Sequence, residues 1–507
     1  MGIGEAASLR VDSGNMMNYP KWFTNEILLV LAIFILALGV RFLFFDSSYV
    51  IWDEAVYLLH GMYFGGSQIG YQELIIRPPL VPIMISPIWR IAPDYYLPLA
   101  KALMIFLNSL IIWPVYSLGK LLSKPVGLLS ALMFAIFPLS ILESRFVTTD
   151  HLSALLAISS ISLFLYGVKN RAPVRIIPGA ILASLATLVK YRSLSLYVIL
   201  MPSVIFLRNK RNFLLAIAFS LLIFIPYLAL NQRMFHSFWL PIYRAFHFME
   251  ASNPISLQYL AWLFLDTFSY SYLLLGILGI GLIVNKIIRS AGVDKFILGN
   301  LLFAFTIILM ESIFVLYRGV SKPQGTPWEP ERFLIYLSVF LLCFSGYAVY
   351  TFVSILTKRN RLVLATFIIL LINLGLIPQM RRAYLPQVKM EFGLRTAVKT
   401  MGDYLKTMPF SGVTCYPKLI LQERPPQLPS LDVIPFFSQD SKAELVGNCP
   451  AIAFYSGMKV DIIYDEEYVR KYAKDYVVSF YPIEGYKVVA QTCSQNICSY
   501  LQQVPFR

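Results

Sequence analysis

Charge is what this chain has least of. Asp, Glu, Lys and Arg make up 14% of its 507 residues, against 57% hydrophobic residues. With a mean hydropathy of +0.65, so little charge excludes a surface dissolved in water and leaves the bilayer as the solvent. Acids are scarcer than bases, 28 against 43. The chain has no compact D-x-D run, no N-x-S/T sequon and no pair of matching halves. The last absence argues against the duplicated, broken-helix architecture of many transporters, although a multi-pass transporter or lipid flippase stands as the alternative class.

What is present is a series of apolar runs of the length a hydrocarbon core about 30 Å thick requires of a helix. About eleven spans are predicted, at residues 25–45, 97–119, 126–143, 150–168, 175–190, 193–207, 213–231, 259–285, 296–317, 333–357 and 362–380. The first run is too long to be a removable leader, so it is expected to stay as a helix. With residues 1–24 on the cytoplasmic side, the loops on that side hold fourteen bases, Lys120, Lys124 and Lys169 among them, and one acid, Asp294. That is the positive-inside pattern, and an odd number of spans then puts the C-terminus outside. The basic character is a topology signal, so no nucleic-acid partner is implied.

The same orientation puts "YVIWDEAVYLLHG", with the paired acids Asp53 and Glu54, in a long first outer loop, residues 46–96. Ile51, Ala55, Leu58, Leu59 and Met62 recur at helical spacing, which predicts a short helix lying in the interface, with Asp53, Tyr57 and His60 on its other face. Further ionisable residues gather at outward helix ends: Arg77 in "IIRPPL", Glu143, Arg145 and Asp150 in "ESRFVTTD", Lys190 and Arg192 in "LVKYRS", and Arg332 in "PWEPERF". Bases on this side run against the positive-inside tendency, and ionisable groups near a membrane require partners, so they are expected around something anionic.

Each has a local alternative. Asp53 and Asp150 would also serve as helix-start acids. Glu143 would pair with Arg145, Lys190 would snorkel to headgroups, Arg332 would neutralise Glu329 or Glu331, and His60 would be an ordinary interfacial residue.

In order and sidedness, "WDEAVYL", "RPPL", the acid opening a span at Asp150, the lysine closing one at Lys190 and the Glu-Arg-aromatic entry at Arg332 resemble the GT-C glycosyltransferases. The nearest group is the protein mannosyltransferases and aminoarabinose transferases. The resemblance covers residues 25–380, with Arg77 standing where many relatives have Lys or His. A W-W-D-x-G run, expected of an oligosaccharyltransferase, is lacking. The resemblance implies a polytopic α-helical membrane enzyme of the cell envelope, N-in and C-out. Such an enzyme moves a sugar from a polyprenyl-phosphate donor to a protein, glycolipid or glycan acceptor on the outer face, with membrane lipids as its surroundings.

It further implies Asp53 as the base, with Glu54 orienting the acceptor or sharing that role. Arg77, Lys190 and Arg332 would hold the donor phosphate, backed by Arg192 and Arg145, with Tyr57, His60, Asp150 and Glu143 as substrate contacts. A single displacement implies inversion at the anomeric carbon. No cofactor is assigned, and a divalent cation among Asp53, Glu54, Glu143 and Asp150 is compatible with their oxygen ligands but unclaimed.

Residues 381–507 change character. Short β-branched runs, "VDIIYD", "YVVSFYP" and "YKVVAQ", and a helical stretch, "EEYVRKYAKDY", predict a small extracytoplasmic α/β domain. It holds four of the five cysteines, for which the expected disulfides are Cys493–Cys498 and Cys415–Cys449. Acceptor docking or shielding is the expected role of this domain.

Overall fold

The computed structural model describes residues 21–47, 50, 52–67, 77–207, 209–247, 257–319, 330–357, 360–409, 412–416, 418–420, 444–446, 449–456, 459–462, 473, 476–494 and 497–504. The predicted helix in "EEYVRKYAKDY" falls almost wholly outside these residues, as do the N-terminal segment before Lys21, Ile51 and Glu329; the side chain of Glu331 is likewise not described.

The membrane region is built of α1 (Lys21–Leu43), α2 (Trp52–Phe64), α3 (Leu80–Ile91), α4 (Tyr96–Ser109), α5 (Ile112–Lys120), α6 (Lys124–Ala135), α7 (Pro138–Glu143) and α8 (Asp150–Lys169). It continues with α9 (Ile176–Val189), α10 (Ser195–Leu207), α11 (Lys210–Phe235), α12 (Leu240–His247), α13 (Leu257–Arg289), α14 (Gly292–Gly319), α15 (Ile335–Leu356) and α16 (Arg361–Leu405).

Among the described residues seven helical stretches are long and apolar enough to cross a membrane: Asn25–Leu43, Pro93–Lys120, Asp150–Lys169, Lys210–Arg233, Thr267–Arg289, Gly292–Leu316 and Arg332–Leu356. The four other predicted spans coincide with shorter apolar helices, Lys124–Ala135, Pro173–Val189, Tyr191–Leu207 and Arg361–Leu374. A fifth short apolar helix, α3, lies in the segment read as an outer loop. Proline accounts for the breakage: Pro138 opens α7 just beyond α6, and Pro173 opens the 3-10 turn before α9.

The bundle's outer surface is apolar, with Leu214, Leu221, Leu222 and Ile225 exposed on α11 and Phe352 and Ile355 on α15. Such a surface belongs in lipid. Inside, small residues let backbones approach. A Cβ added to Gly279 of α13 would fall 2.1 Å from the carbonyl oxygen of Phe344 on α15, and one on Gly179 of α9 would meet the Phe164 ring at 2.5 Å. Close packing of this kind replaces the hydrophobic effect, which lipid tails do not supply between helices.

The C-terminal part is a mixed sheet of β1 (Gly412–Tyr416), β4 (Lys459–Ile462), β5 (Tyr476–Ser479), β6 (Lys487–Ser494) and β7 (Ile497–Gln503), in the order β4-β1-β5-β7-β6. β1 is parallel to both neighbours, and β7 is antiparallel to β5 and β6. β2 (Lys418–Ile420) and β3 (Glu444–Val446) form a separate antiparallel pair, and α17 (Cys449–Ser456) crosses over to β4. All three predicted β-runs are strands. The disulfide Cys415–Cys449 is present and fastens the first residue of α17 to β1. Cys493 is disulfide-bonded and lies directly across the β6–β7 ladder from Cys498.

One buried core joins this sheet to the membrane region. Ala55, Val56, Leu58 and Leu59 of α2 share it with Ile85 of α3, Met401 of α16, Ala451 and Ile452 of α17 and Val478 of β5. The predicted helix at residues 52–64 therefore exists, but it does not lie in the interface with a wet polar face. Asp53, Glu54, Tyr57 and His60 are as buried as its apolar residues, because α3 and α17 pack over it.

Candidate active site

Five chain segments bring ionisable residues to one end of the bundle. α2 presents Asp53 and Glu54 in its first turn, where carboxylates favour the helix dipole. Arg77 precedes the Pro78-Pro79 entry to α3. α8 begins at Asp150, after the N-cap Thr149. α9 ends at Lys190, whose extended backbone (φ −154°, ψ 118°) stops the helix and leads into a 3-10 turn containing Arg192. A second 3-10 turn, Pro330–Leu334, sets Arg332 at the mouth of α15.

The carboxylate of Asp53 lies between two guanidinium groups. Arg77 donates to Oδ1 at 2.6 Å and Arg332 to Oδ2 at 2.5 Å. Burial works to raise the Asp53 carboxyl, but the positive charges of Arg77, Arg332 and Lys190 outweigh it and hold the group well below the usual carboxylate range. Asp150 pairs with Lys190. Both Lys190 and Arg332 lie over the ring of Phe333, at 4.8 and 5.2 Å from its centroid. Arg77 lies 5.9 Å from the ring of Tyr57, whose hydroxyl is 3.5 Å from Thr149 Oγ1. Glu143 is buried at the end of α7, within electrostatic reach of Arg332.

Asp53, Arg77, Lys190, Arg332, Asp150, Tyr57 and Glu143 are thus neighbours. Lys190 and Arg332 meet acids far along the chain, and Asp150 still opens α8 as a helix-start acid. Glu329 and the Glu331 side chain, the local partners expected for Arg332, lie outside the described residues. Other predicted residues stand apart. Glu54 is fully buried, ion-paired with Lys101 of α4 at 3.3 Å, and accepts a hydrogen bond from the Val147 amide at 2.8 Å. It ties α2 to the segment that leads into Asp150. His60 packs beside Phe64, one turn farther along α2. Arg192 pairs with Glu311 at 3.0 Å. Arg145 lies over the Phe146 ring, 4.7 Å from the centroid, and has no carboxylate partner among the described residues.

Lys101 and Glu311 escaped the sequence reading. Both are lone ionisable residues inside apolar runs, "LPLAKALMIF" and "ILMESIFVL", and that isolation is itself the signal, since the membrane interior tolerates such residues only with a partner or a purpose.

A divalent cation finds little to hold it. Among the described residues no three of His, Cys, Asp and Glu converge, and Asp53 and Asp150 are each occupied by cations.

Residues 76–230 match the sequence model of the dolichyl-phosphate-mannose-protein mannosyltransferase family. Among curated proteins the sequence finds no match. The fold is similar to that of ArnT from Cupriavidus metallidurans bound to undecaprenyl phosphate, with a TM-score of 0.55 and 14% identity, covering 96% of this chain and 98% of that one. It is also similar to the apo oligosaccharyltransferase of Archaeoglobus fulgidus, with a TM-score of 0.57 and 13% identity, over 91% of this chain and 70% of that one. Residues 76–230 thus carry that family's sequence pattern, and the whole chain is a multi-pass membrane protein that shares the fold of these two structures over nearly its whole length.

Proposed function

We propose that this protein transfers a sugar, with inversion, from a polyprenyl-phosphate donor to a hydroxyl on a protein, lipid or glycan at the outer face of the cell membrane. The observation that carries the reading is Asp53 held between Arg77 and Arg332, with Lys190 alongside. Three cations around one carboxylate suit a phosphate on one side and a proton acceptor on the other.

The acceptor oxygen attacks the anomeric carbon, the bond from that carbon to the phosphate oxygen breaks with its electron pair leaving on the phosphate, and the hydroxyl proton passes to Asp53. Negative charge grows on the departing phosphate, and Arg77, Arg332 and Lys190 are placed to stabilise it more in the transition state than in the ground state. Arginine suits this work because its fork matches phosphate oxygens. The same two arginines serve Asp53 and the phosphate, so a phosphate that engages them loosens their hold on the carboxylate and restores its basicity. Glu54, tied to Lys101 and Val147, holds α2 in place rather than meeting the substrate.

The disulfides of the C-terminal part support an oxidising, extracytoplasmic side for the site. The domains follow: a cytoplasmic N-terminal segment, a membrane domain to about residue 380, and an extracytoplasmic remainder. The test is transfer of label from a radiolabelled polyprenyl-phosphate sugar to membrane glycoconjugates, with the anomeric configuration of the product determined by NMR. Retention of configuration removes Asp53 as the base of a single displacement. Movement of the lipid across vesicles without covalent transfer returns the protein to the flippase class.

A further inference from the structure

Glu311 stands outside the Asp53 cluster, with Oε2 hydrogen-bonded and Oε1 in an ion pair that rests on charge rather than on a hydrogen bond. Oε1 lies 3.0 Å from Nε of Arg192, and Oε2 accepts a hydrogen bond from Ser195 Oγ at 2.6 Å. Arg192 in turn reaches the Phe333 carbonyl oxygen with both terminal nitrogens, each at 3.4 Å, and lies over the Tyr336 ring, 4.3 Å from its centroid. Tyr336 is itself fixed by a 2.8 Å hydrogen bond to Ser193 Oγ. Phe333 is therefore held through its backbone carbonyl, while its ring supports Lys190 and Arg332. Arg192 is also within electrostatic reach of Asp150, the partner of Lys190.

We propose that Glu311 is a positioning residue: by engaging Arg192 it anchors Phe333, and with it Lys190 and Arg332, the cations that face the donor phosphate. The proposal rests on the glycosyl-transfer reading. It separates Arg192 from the phosphate ligands, because a guanidinium committed to Glu311 and to a backbone carbonyl has little left to offer a substrate. It also gives Glu311 a second effect, since neutralising it would leave a buried Arg192 without a counter-charge and turn it toward Asp150, in competition with Lys190.

The experiment uses the full-length protein in detergent, with undecaprenyl phosphate and undecaprenol as probes of the phosphate and lipid contributions. The wild type should bind the phosphate lipid more tightly than the alcohol, and Arg332→Ala should erase most of that preference. Glu311→Gln should weaken undecaprenyl phosphate binding about tenfold while leaving undecaprenol binding unchanged.

In the double variant Glu311→Gln/Arg332→Ala, the loss should fall short of the product of the single losses, because one residue acts through the other. A generally loosened fold would weaken both lipids and multiply through. Arg192→Lys, which keeps the ion pair but loses the fork on Phe333, should lose several-fold in phosphate-lipid affinity and serves if Glu311→Gln does not fold. Glu311→Gln and Arg192→Lys binding like wild type, or a fully multiplicative double variant, overturns the positioning role alone, provided Arg332→Ala still abolishes the preference. A wild type that does not distinguish phosphate from alcohol overturns the glycosyl-transfer reading as well.

Discussion

The two ends of the helix bundle use the same residue types for different ends. At one, Glu26 of α1 is bridged to Lys120 and Lys124, where α5 turns into α6, with side-chain exposures of 10%, 29% and 51%. At the other, Asp53 is bridged to Arg77 and Arg332, with side-chain exposures of 7%, 29% and 9%. Both are one acid between two bases. The first opens to its surroundings through Lys124, where screening discounts that bridge's worth. In the second, both Asp53 and Arg332 are enclosed by protein, so that each depends on the other for its counter-charge. An ion cluster that is costly to bury and has been buried nonetheless is the feature on which the proposed glycosyl transfer rests.

The comparison is broken most severely by changing Asp53. Asp53→Asn should lower transfer by about a thousandfold, within the range general-base removal commands, with the protein still inserted and folded. Glu26→Gln, assayed in parallel, should leave the rate unchanged. Next comes Arg332→Ala, with an expected loss of about a hundredfold in transfer from the removal of one cation at the developing charge. Lys120→Ala is the matching change at the far end, and equal losses in the two variants would mean that the ends do not differ as described.

Replacing Cys415 and Cys449 together by serine should lower stability by about 2 to 4 kcal/mol. It should also reduce transfer, because α17 backs the helix that carries Asp53; thermal unfolding and turnover measured on one preparation would show both. Glu26→Gln should cost stability by less than about 1 kcal/mol, and that cost should fade with added salt.

The last contrast is in pH. Because the Asp53 carboxyl is depressed in the fold, the stability it supplies is complete above the ordinary carboxylate value near about 4 and is lost as pH falls through the lower folded value. The difference in melting temperature between wild type and Asp53→Asn should therefore be flat from neutral pH to about 5 and shrink only in stronger acid.

Much of this was legible in the chain. Asp53, Arg77, Lys190 and Arg332 announced themselves as charges at the ends of apolar runs, and composition named their solvent. The long spans were legible for the same reason, since hydrocarbon thickness sets a length that sequence must meet. The shorter helices were read less well: α3 hides in a segment whose charges and prolines resemble a loop, and the breaks around Pro138 and Pro173 leave helices that rely on neighbours instead of lipid. Lys101 and Glu311 were passed over because an apolar run averages away its single charge. The enclosure of α2 was not legible at all, for its cover is α17, from the far end of the chain, and an amphipathic stretch reads the same whether lipid or protein lies upon it.

That cover sets an order of events in biogenesis. In translation Asp53 precedes Ala451 and Ile452, which roof the helix bearing it, by some tens of seconds at ordinary rates of synthesis. Until they arrive, Asp53 and the two arginines that grip it have only part of their shelter. A polypeptide interrupted before α17 would thus insert its helices with the Asp53 cluster uncovered, so the proposed transfer activity should appear only once α17 has been translated.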